Sequence, residues 1–517
     1  MAFTIKKIGQ NAIILLILFV IFVMKDSYLT YHRELLLKIC EPKNLRPYCQ
    51  QQSLLFPANL LYFIKDDDLC MVVDDVVNNL DLSCLYVNIA SEGNMAYHPK
   101  MMLKILFYAY ASGIFSSRNI AKALGENIAF IYLAAWQRPD FRTINNFRKN
   151  NLKQIEDLFV QIVHLCQQLK MVKLGHISID GSKFKANAAD RKTYDRQRIE
   201  REMKRILDKA DKQDQHEDAL YGRDKTGDEP PEHIRDRDQR IEKLKQIQQQ
   251  LDKGGKKKLN ATDADAVFMK TTAGIKTSYN AQASVDEDVQ VIVAADVTNE
   301  PNDKEQLVPM IEQAEQNTDA CIDTLSADCG YSTANNLQKL ESSNIDAYIP
   351  DDTYQSRSRG KQVSPFDKDN FIYDHSTDVF TCPEGKVVKF WHTRRYENGD
   401  YRVYRCLECT GCPHFGQCTK SKKGRSIWRR VVDENIKAMR SKLDSESGKA
   451  IYAKRKHIVE PVFGHIKAVI GFTGFHLRGL EKVKAEFKIV AIAHNLKKIS
   501  KYAYKKGVGL TPRLVQA

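Results

Sequence analysis

The sequence predicts an α/β protein: a mixed sheet flanked by helices, preceded by an all-α segment and interrupted by two insertions. Three observations lead there. Apolar positions recur every three to four residues through the first third of the chain, a helical period. Alternating and β-branched runs then appear at residues 176–181 and 278–298, interleaved with helical stretches, as in an α/β sheet. Two segments fit neither pattern: an almost wholly polar one at 190–258 and a cysteine-rich one at 378–425.

The chain has 517 residues, room for two to four domains. Hydrophobic residues make up 43% and charged residues 28%, which excludes a collagenous, mucin-like or wholly disordered chain. Lys plus Arg number 79 against 65 for Asp plus Glu, a formal charge of +14 that points to a polyanionic partner, nucleic acid first and anionic membrane second. Twelve cysteines are too few for a disulfide scaffold, and five of them cluster between Cys382 and Cys418, which reads as a metal site.

The apolar run AIILLILFVIFVM at 12–24 has thirteen residues, fewer than the roughly 20 a bilayer-spanning helix needs. It lacks a small-residue cleavage pattern, which argues against secretion. Residues 1–45 are read as an incidental extension, with Met24 an alternative start; anchoring in a membrane by 12–24 is the rival reading. A helical domain is expected over 46–165. The run MMLKILFYAYASGIF (101–115) is its most apolar helix, and a short helix, a turn at Gly125 and a second helix up to Trp136 fit either a helix-turn-helix or two packed helices. The basic stretch FRTINNFRKNN that follows favours DNA contact.

The alternation at 176–181 ends in Asp180-Gly181 and reads as a strand running into a turn. Residues 190–258 predict two long solvated helices of a hairpin, with sparse apolar positions at Ile199, Met203, Ile206 and Leu207 and later at Ile241, Leu244 and Ile247, and Asp228-Glu-Pro-Pro as the breaker. A hairpin with its turn at 285–288, a helix over 303–316, a strand ending at Asp328, a helix over 332–342 and a strand at 347–350 complete the alternation. The core is thus expected over 170–189, 260–355 and 432–500, with a tail at 501–517.

Asp180 and Asp328 each close a predicted strand before a glycine, where open α/β sheets hold ligands. Glu460 lies in the helical segment AIYAKRKHIVEPVFGHIK, and at 100° per residue Tyr452, Lys456 and Lys467 share its face. Two Asp and one Glu suit hard cations that activate the attacking oxygen of a phosphodiester cleavage and stabilise the leaving one. Lys456 and Lys467 would hold the phosphate.

The segments PDFRTINNFR, ISIDGSKFKANA, SADCGY and KHIVEPVFGHIK, in that order, resemble the DDE transposases of bacterial insertion sequences, in particular the lineage with a cysteine-rich module between the second Asp and the Glu. The likeness runs from about residue 46 to 499. It implies an RNase H-like catalytic core, an N-terminal helical DNA-binding domain, and Mg²⁺ (or Mn²⁺) dependent DNA cleavage and strand transfer. It also implies double-stranded DNA partners, the element's terminal inverted repeats and the target, with a homodimer in the DNA complex. A cytoplasmic, nucleoid-associated location follows. Asp180, Asp328 and Glu460 take the three metal-binding roles by position. The family motif places Tyr seven and Arg four residues before the Glu and Lys seven after it. Here Ala453 and Lys456 hold the upstream positions, Tyr452 and Arg455 are displaced by one, and Lys467 matches. Helical geometry favours Lys456 over Arg455 as the active-site cation.

Cys382, Cys406, Cys409, Cys412 and Cys418 offer five thiols for the four places of tetrahedral Zn²⁺, with His414 a further donor and the basic KSKKGRSIWRR behind them suited to DNA phosphates. Two rival functions remain at this stage: a catalytically inactive transposase relic that still binds DNA, and an RNase H-like nuclease without strand transfer.

Overall fold

The computed structural model describes residues 59–86, 96–221, 232–255, 257–358, 360, 364–396, 399–430 and 433–506. The extension 1–45 with its apolar run at 12–24 and Met24, the Asp228-Glu-Pro-Pro breaker, and residues 507–517 of the tail lie outside the described residues. Among the described residues no helix is long and apolar enough to cross a membrane.

The main sheet has six strands: β1 (His176–Lys185), β2 (Val267–Thr271), β3 (Gly274–Asp286), β4 (Ile292–Thr298), β5 (Thr324–Ala327) and β6 (Asp346–Tyr348). Their order is β2-β3-β1-β5-β6, and β4 extends the edge that β2 begins, pairing with β3. β3 runs antiparallel to β1, β2 and β4, whereas β5 is parallel to β1 and β6 to β5. This is the mixed sheet flanked by helices that the alternation predicts.

Val291, Ile292, Val293, Ala294, Ala295 and Val297 are all fully buried, so β4 needs cover from its neighbours. Helices Leu307–Thr318 and Leu480–Lys506 supply it. A buried edge strand must also satisfy its backbone. The Asn495 amide does so, accepting from the Ile292 N–H and donating to the Ile292 carbonyl at 2.9 Å each.

Helices Leu69–Asn79, Pro99–Ala111, Ser117–Glu126, Ile128–Leu133, Phe141–Asn150 and Leu152–Gln168 precede the sheet. Pro99–Ala111 begins with its proline, where the missing N–H costs no bond, and is buried along most of its length. The C-terminal helix Leu480–Lys506 packs against Leu69–Asn79, Pro99–Ala111, Leu152–Gln168 and β4, so one apolar core runs from Cys70 to Ile499. The expected turn at Gly125 lies two residues later: Gly125 is helical, and Asn127 separates the two helices, its side chain capping Ala129 and Phe130 N–H. Arg148, from the basic stretch expected to meet DNA, is buried instead. It donates to the Tyr110 hydroxyl (2.6 Å) and the Phe115 carbonyl (3.1 Å), and lies 3.8 Å from the fully buried Glu486.

The polar segment forms two helices, Arg196–Tyr221 and Glu232–Gly254, with Ile199, Leu244, Ile247, Leu251 and Leu259 buried in a small core of their own. The cysteine-rich segment belongs to a second sheet of five antiparallel strands in sequence order: β7 (Ile372–Asp374), β8 (Val379–Thr381), β9 (Val387–Tyr396), β10 (Gly399–Arg405) and β11 (Ser426–Arg429). Phe371, Phe380, Val388, Tyr404, Cys406 and Ile427 fill its separate core. Helices Asp433–Asp444 and Glu446–Ile458 then return the chain to the main sheet.

Candidate active site

β1 does not turn at Asp180-Gly181, as the Asp-Gly pair suggests, but continues to Lys185 in register with β3. Gly181 sits there in a crowded interior, where a larger residue would push neighbouring side-chain ends aside. A Cβ at that position would lie 2.6 Å from Asp303 Oδ1 and collide with Gln282 Nε2. What ends at Asp180 is the parallel pairing: Ile179 faces Ala327 as the last pair, so Asp180 and Asp328 follow it side by side on neighbouring strands. Asp328 also caps the short turn Cys329–Tyr331, accepting from Gly330 N–H at 2.8 Å.

Glu460 joins them through a cation. Arg455 donates from Nη1 to Glu460 Oε1 at 2.8 Å and from Nη2 to Asp180 Oδ2 at 3.3 Å. Lys456, the expected cation, is exposed. The helical geometry that favoured it assumes an ideal α-helix, and the hydrogen-bond ladder lapses here, although Val459 keeps a right-handed helical backbone. Helix Glu446–Ile458 stops, Val459 intervenes, and Glu460–Gly464 begins anew. Pro461 has no N–H to give the His457 carbonyl, which Gln290 Nε2 takes instead. Across this joint the side chain five residues before the Glu, not four, faces it.

A π turn follows, His465–Val469, closed by Ile470 N–H to the His465 carbonyl at 2.9 Å. It carries Lys467 back over the Phe184 ring, where its ammonium donates to Ser182 Oγ at 2.7 Å. Burial lowers the pKa of Lys467, with Asp180 working the other way.

The electrostatics are those of crowded, poorly solvated acids. Burial pushes Asp180 up to about 6; Arg455 opposes this and Asp328 adds to it. Burial raises Asp328 as well, with Arg455 again opposing. The Tyr452 phenol, one turn before Arg455, is pushed up to about 12, mainly by burial.

A fourth carboxylate, absent from the sequence expectations, faces the same place. Asp303 Oδ1 accepts from Asn280 Nδ2 (2.6 Å), Gln282 Nε2 (2.7 Å) and Lys183 Nζ (3.3 Å). Its charge contributes to raising both Asp180 and Asp328. Its signal in the sequence is an acid just past a β-branched strand, in TNEPND, which looks like any polar loop.

Among the described residues no group of three or more His, Cys, Asp or Glu is arranged to hold a metal ion. Magnesium does not require one, since one or two carboxylates, with water and phosphate, commonly hold it. The donor set fits a cation at Asp180 and Asp328: two half-buried carboxylates stand side by side, and burial raises Asp180, with Arg455 opposing and the charges of Asp328 and Asp303 adding to it.

In the second sheet Cys382, Cys406, Cys409, Cys412 and Cys418 line one small cavity with His414. Backbone N–H groups of Lys386 and Arg425 point at the sulfurs of Cys382 and Cys409, each at 3.3 Å. Burial pushes the Cys406 thiol up to about 11. The five sulfurs share the cavity without being drawn into a tetrahedral cage. Arginines stack on the aromatic side chains of this sheet: Arg405 over Trp391 at 4.8 Å, Arg402 over Phe390 at 4.6 Å and Arg394 over Trp428 at 5.4 Å. Trp391 sits where the β9–β10 register shifts, and it is exposed.

Two family models match the chain. A Transposase DDE domain matches residues 381–500, spanning the cysteine cluster, Arg455, Glu460 and Lys467. A Transposase domain (DUF772) matches residues 58–150, the N-terminal helices. Asp180, Asp303 and Asp328 lie between the two matched stretches. No curated protein matches the chain. Together the two family matches point to a DDE-type transposase of the insertion-sequence type.

Proposed function

We propose that this transposase cuts DNA at the ends of its element and joins the freed ends to target DNA, with Asp180, Asp328 and Glu460 as its acidic triad. The observation that carries the reading is that Arg455 ties Glu460 to Asp180, which stands beside Asp328, although the three acids come from distant parts of the chain. The strand order, three antiparallel strands followed by two parallel ones, supports an RNase H-like core. Magnesium or manganese at Asp180 and Asp328, with Glu460 completing a second position, would supply Lewis-acid stabilisation of the phosphoryl oxygens.

The chain's own groups do the rest. Arg455 and Lys467 bring two positive charges to the phosphate; the one neutralises Asp180 and Glu460 until DNA arrives, the other is held over Phe184. In the first step water attacks phosphorus, the bond to the 3′-oxygen breaks, and that oxygen leaves as a hydroxyl. In the second step this hydroxyl attacks a target phosphodiester, so that one P–O bond forms as another breaks. A homodimer holding two ends fits this sequence of steps.

Purified full-length protein should nick DNA carrying the element ends when Mg²⁺ is present, and Asp328→Ala should abolish nicking. Normal nicking by that variant refutes the assignment. Nicked ends with no joined product would reduce the protein to a nuclease. End binding without nicking would reduce it to a DNA-binding relic.

For the cysteine module we propose zinc, on the chemistry of the donor set: five thiols around one cavity, two already receiving backbone N–H bonds. Purified protein should contain about one zinc per chain. Protein free of zinc yet fully folded and active would contradict this.

A further inference from the structure

Strands β9, β10 and β11 present two unlike faces. Tyr404 and Ile427, paired in register, point into the small core of the cysteine module. Side chains alternate along a strand, so Trp391, Arg394, Tyr396, Tyr401, Arg405 and Trp428 gather on the other face. Arg394 stacks over Trp428 and Tyr396 at 5.4 and 6.0 Å, Arg405 over Trp391 at 4.8 Å, and Arg430, just past β11, over Tyr401 at 5.1 Å. The rings of Tyr396, Tyr401 and Trp428 lie 5.6–6.1 Å from one another. Yet the cluster seals no core: Trp391 keeps 52% and Tyr396 47% of its surface exposed. The charge on this face is of one sign, because the one acid of the three strands, Asp400, pairs with Arg395 on the opposite side. Rings left in water, interleaved with guanidinium groups, are what exposed bases and their phosphates require.

We infer that this face is a platform for the unpaired nucleotides of a single DNA strand, bases stacking on Trp391, Tyr396 and Trp428 while Arg394 and Arg405 take the intervening phosphates. Duplex DNA is the weaker occupant. Its base faces are already stacked on one another, so the rings gain nothing from it and only the arginines attract it. A surface for duplex alone would need the charge without the rings. The inference deepens the reading of this chain as a DNA-cutting protein, since a cut strand can unpair, but it needs neither the acidic triad nor a metal.

The tryptophans supply the test. The chain has three, Trp136, Trp391 and Trp428, so in full-length Trp136→Phe protein all indole emission comes from this face. Without Mg²⁺, a thymidine oligonucleotide about 20 nucleotides long, more than one such site covers, is expected to quench that emission. It should also bind about tenfold more tightly than a duplex of equal length that lacks element ends. Charge alone predicts the reverse order, because the duplex carries the denser phosphates. Adding Trp391→Ala and Tyr396→Ala should weaken oligonucleotide binding, followed by fluorescence anisotropy of a labelled strand, by about tenfold or more, with duplex binding changed less. Absence of quenching, equal or tighter binding of duplex, or an oligonucleotide affinity untouched by the two substitutions would each overturn the inference. Should the substituted protein fail to fold, the quenching and the preference over duplex in Trp136→Phe decide. Nicking of element ends in Mg²⁺, measured on the same Trp136→Phe protein, keeps the two readings apart. Nicking without quenching overturns this inference alone, and quenching without nicking supports it while overturning the cutting.

Discussion

Arg455 stands between two acids that would otherwise repel each other, and its displacement by one position is compensated by Pro461, which breaks the helix ladder before Glu460. Arg455→Ala is therefore expected to reduce nicking by at least about a hundredfold, as loss of a preorganised charge at a phosphoryl site does, while Lys456→Ala stays within a few-fold of wild type. Single-turnover nicking rates check both. Asp180 gives a pH signature. Its folded pKa, about 6, lies above its ordinary value of 3.8, so the native state holds the proton more tightly than the unfolded chain. Metal-free stability is then greatest below pH 3.8 as far as this group is concerned, and its share is lost as pH rises through 6. Asp180→Asn should raise the metal-free Tm at pH 7.5 while removing nicking; a lowered Tm would show that the ionised carboxylate stabilises the fold. Part of this geometry was legible in the residues: Asp180 and Asp328 close neighbouring strands, and Glu460 meets Asp180 through Arg455, because strand ends and helix faces are local patterns. Arg455 was not legible, because its long guanidinium reaches Glu460 from five residues back, a contact that ideal helical spacing does not suggest. Asp303 was not, because its neighbours Asn280, Gln282 and Gly330 come from elsewhere in the fold.

At the scale of elements, the β9–β10 hairpin presents arginines and aromatic rings on an exposed surface, Trp391 at its register shift. Guanidinium charge and open ring faces suit nucleic acid, phosphates pairing with the first and bases stacking on the second. Arg394→Ala combined with Arg405→Ala should weaken end binding and lower the slope of log affinity against log salt by about two. Retention of the wild-type slope would place this hairpin off the DNA. The strands and helices themselves follow from period alone: the strand before Asp328 and the two charged helices stand where alternation and spacing put them, whereas the hairpin turn expected at 285–288 lies at 287–291, Val285 and Asp286 still being paired in the sheet. The Asp-Gly turn was misread because Gly181 serves a crowded interior, which sequence does not distinguish from a bend. Gly125 was misread for a similar reason, since the polar cap at Asn127 ends the helix instead.

Across the whole molecule, the N-terminal helices and the main sheet share one core, fastened by the buried Tyr110, Arg148 and Glu486. Burial opposes the Glu486 charge, but His476, Arg148 and the Leu477 N–H hold its pKa below the ordinary value. Its contribution is present above that ordinary value and is lost as pH falls through the lowered one. Arg148→Ala leaves the buried acid uncompensated and should cost about 3–5 kcal/mol, lowering the denaturation midpoint of helices and sheet together. Separate transitions would show instead that the helices fold on their own. Such a shared core makes the long-range placement of Glu460 a property of the entire fold. The most direct measurement is therefore the single-turnover rate at which Glu460→Gln nicks DNA carrying the element ends in Mg²⁺. Loss of nicking by about a thousandfold or more, with end binding and Tm retained, is the expected result for a member of the acidic triad. Nicking at the wild-type rate would contradict the account, since the acid that Arg455 links to Asp180 would then have no part in the chemistry.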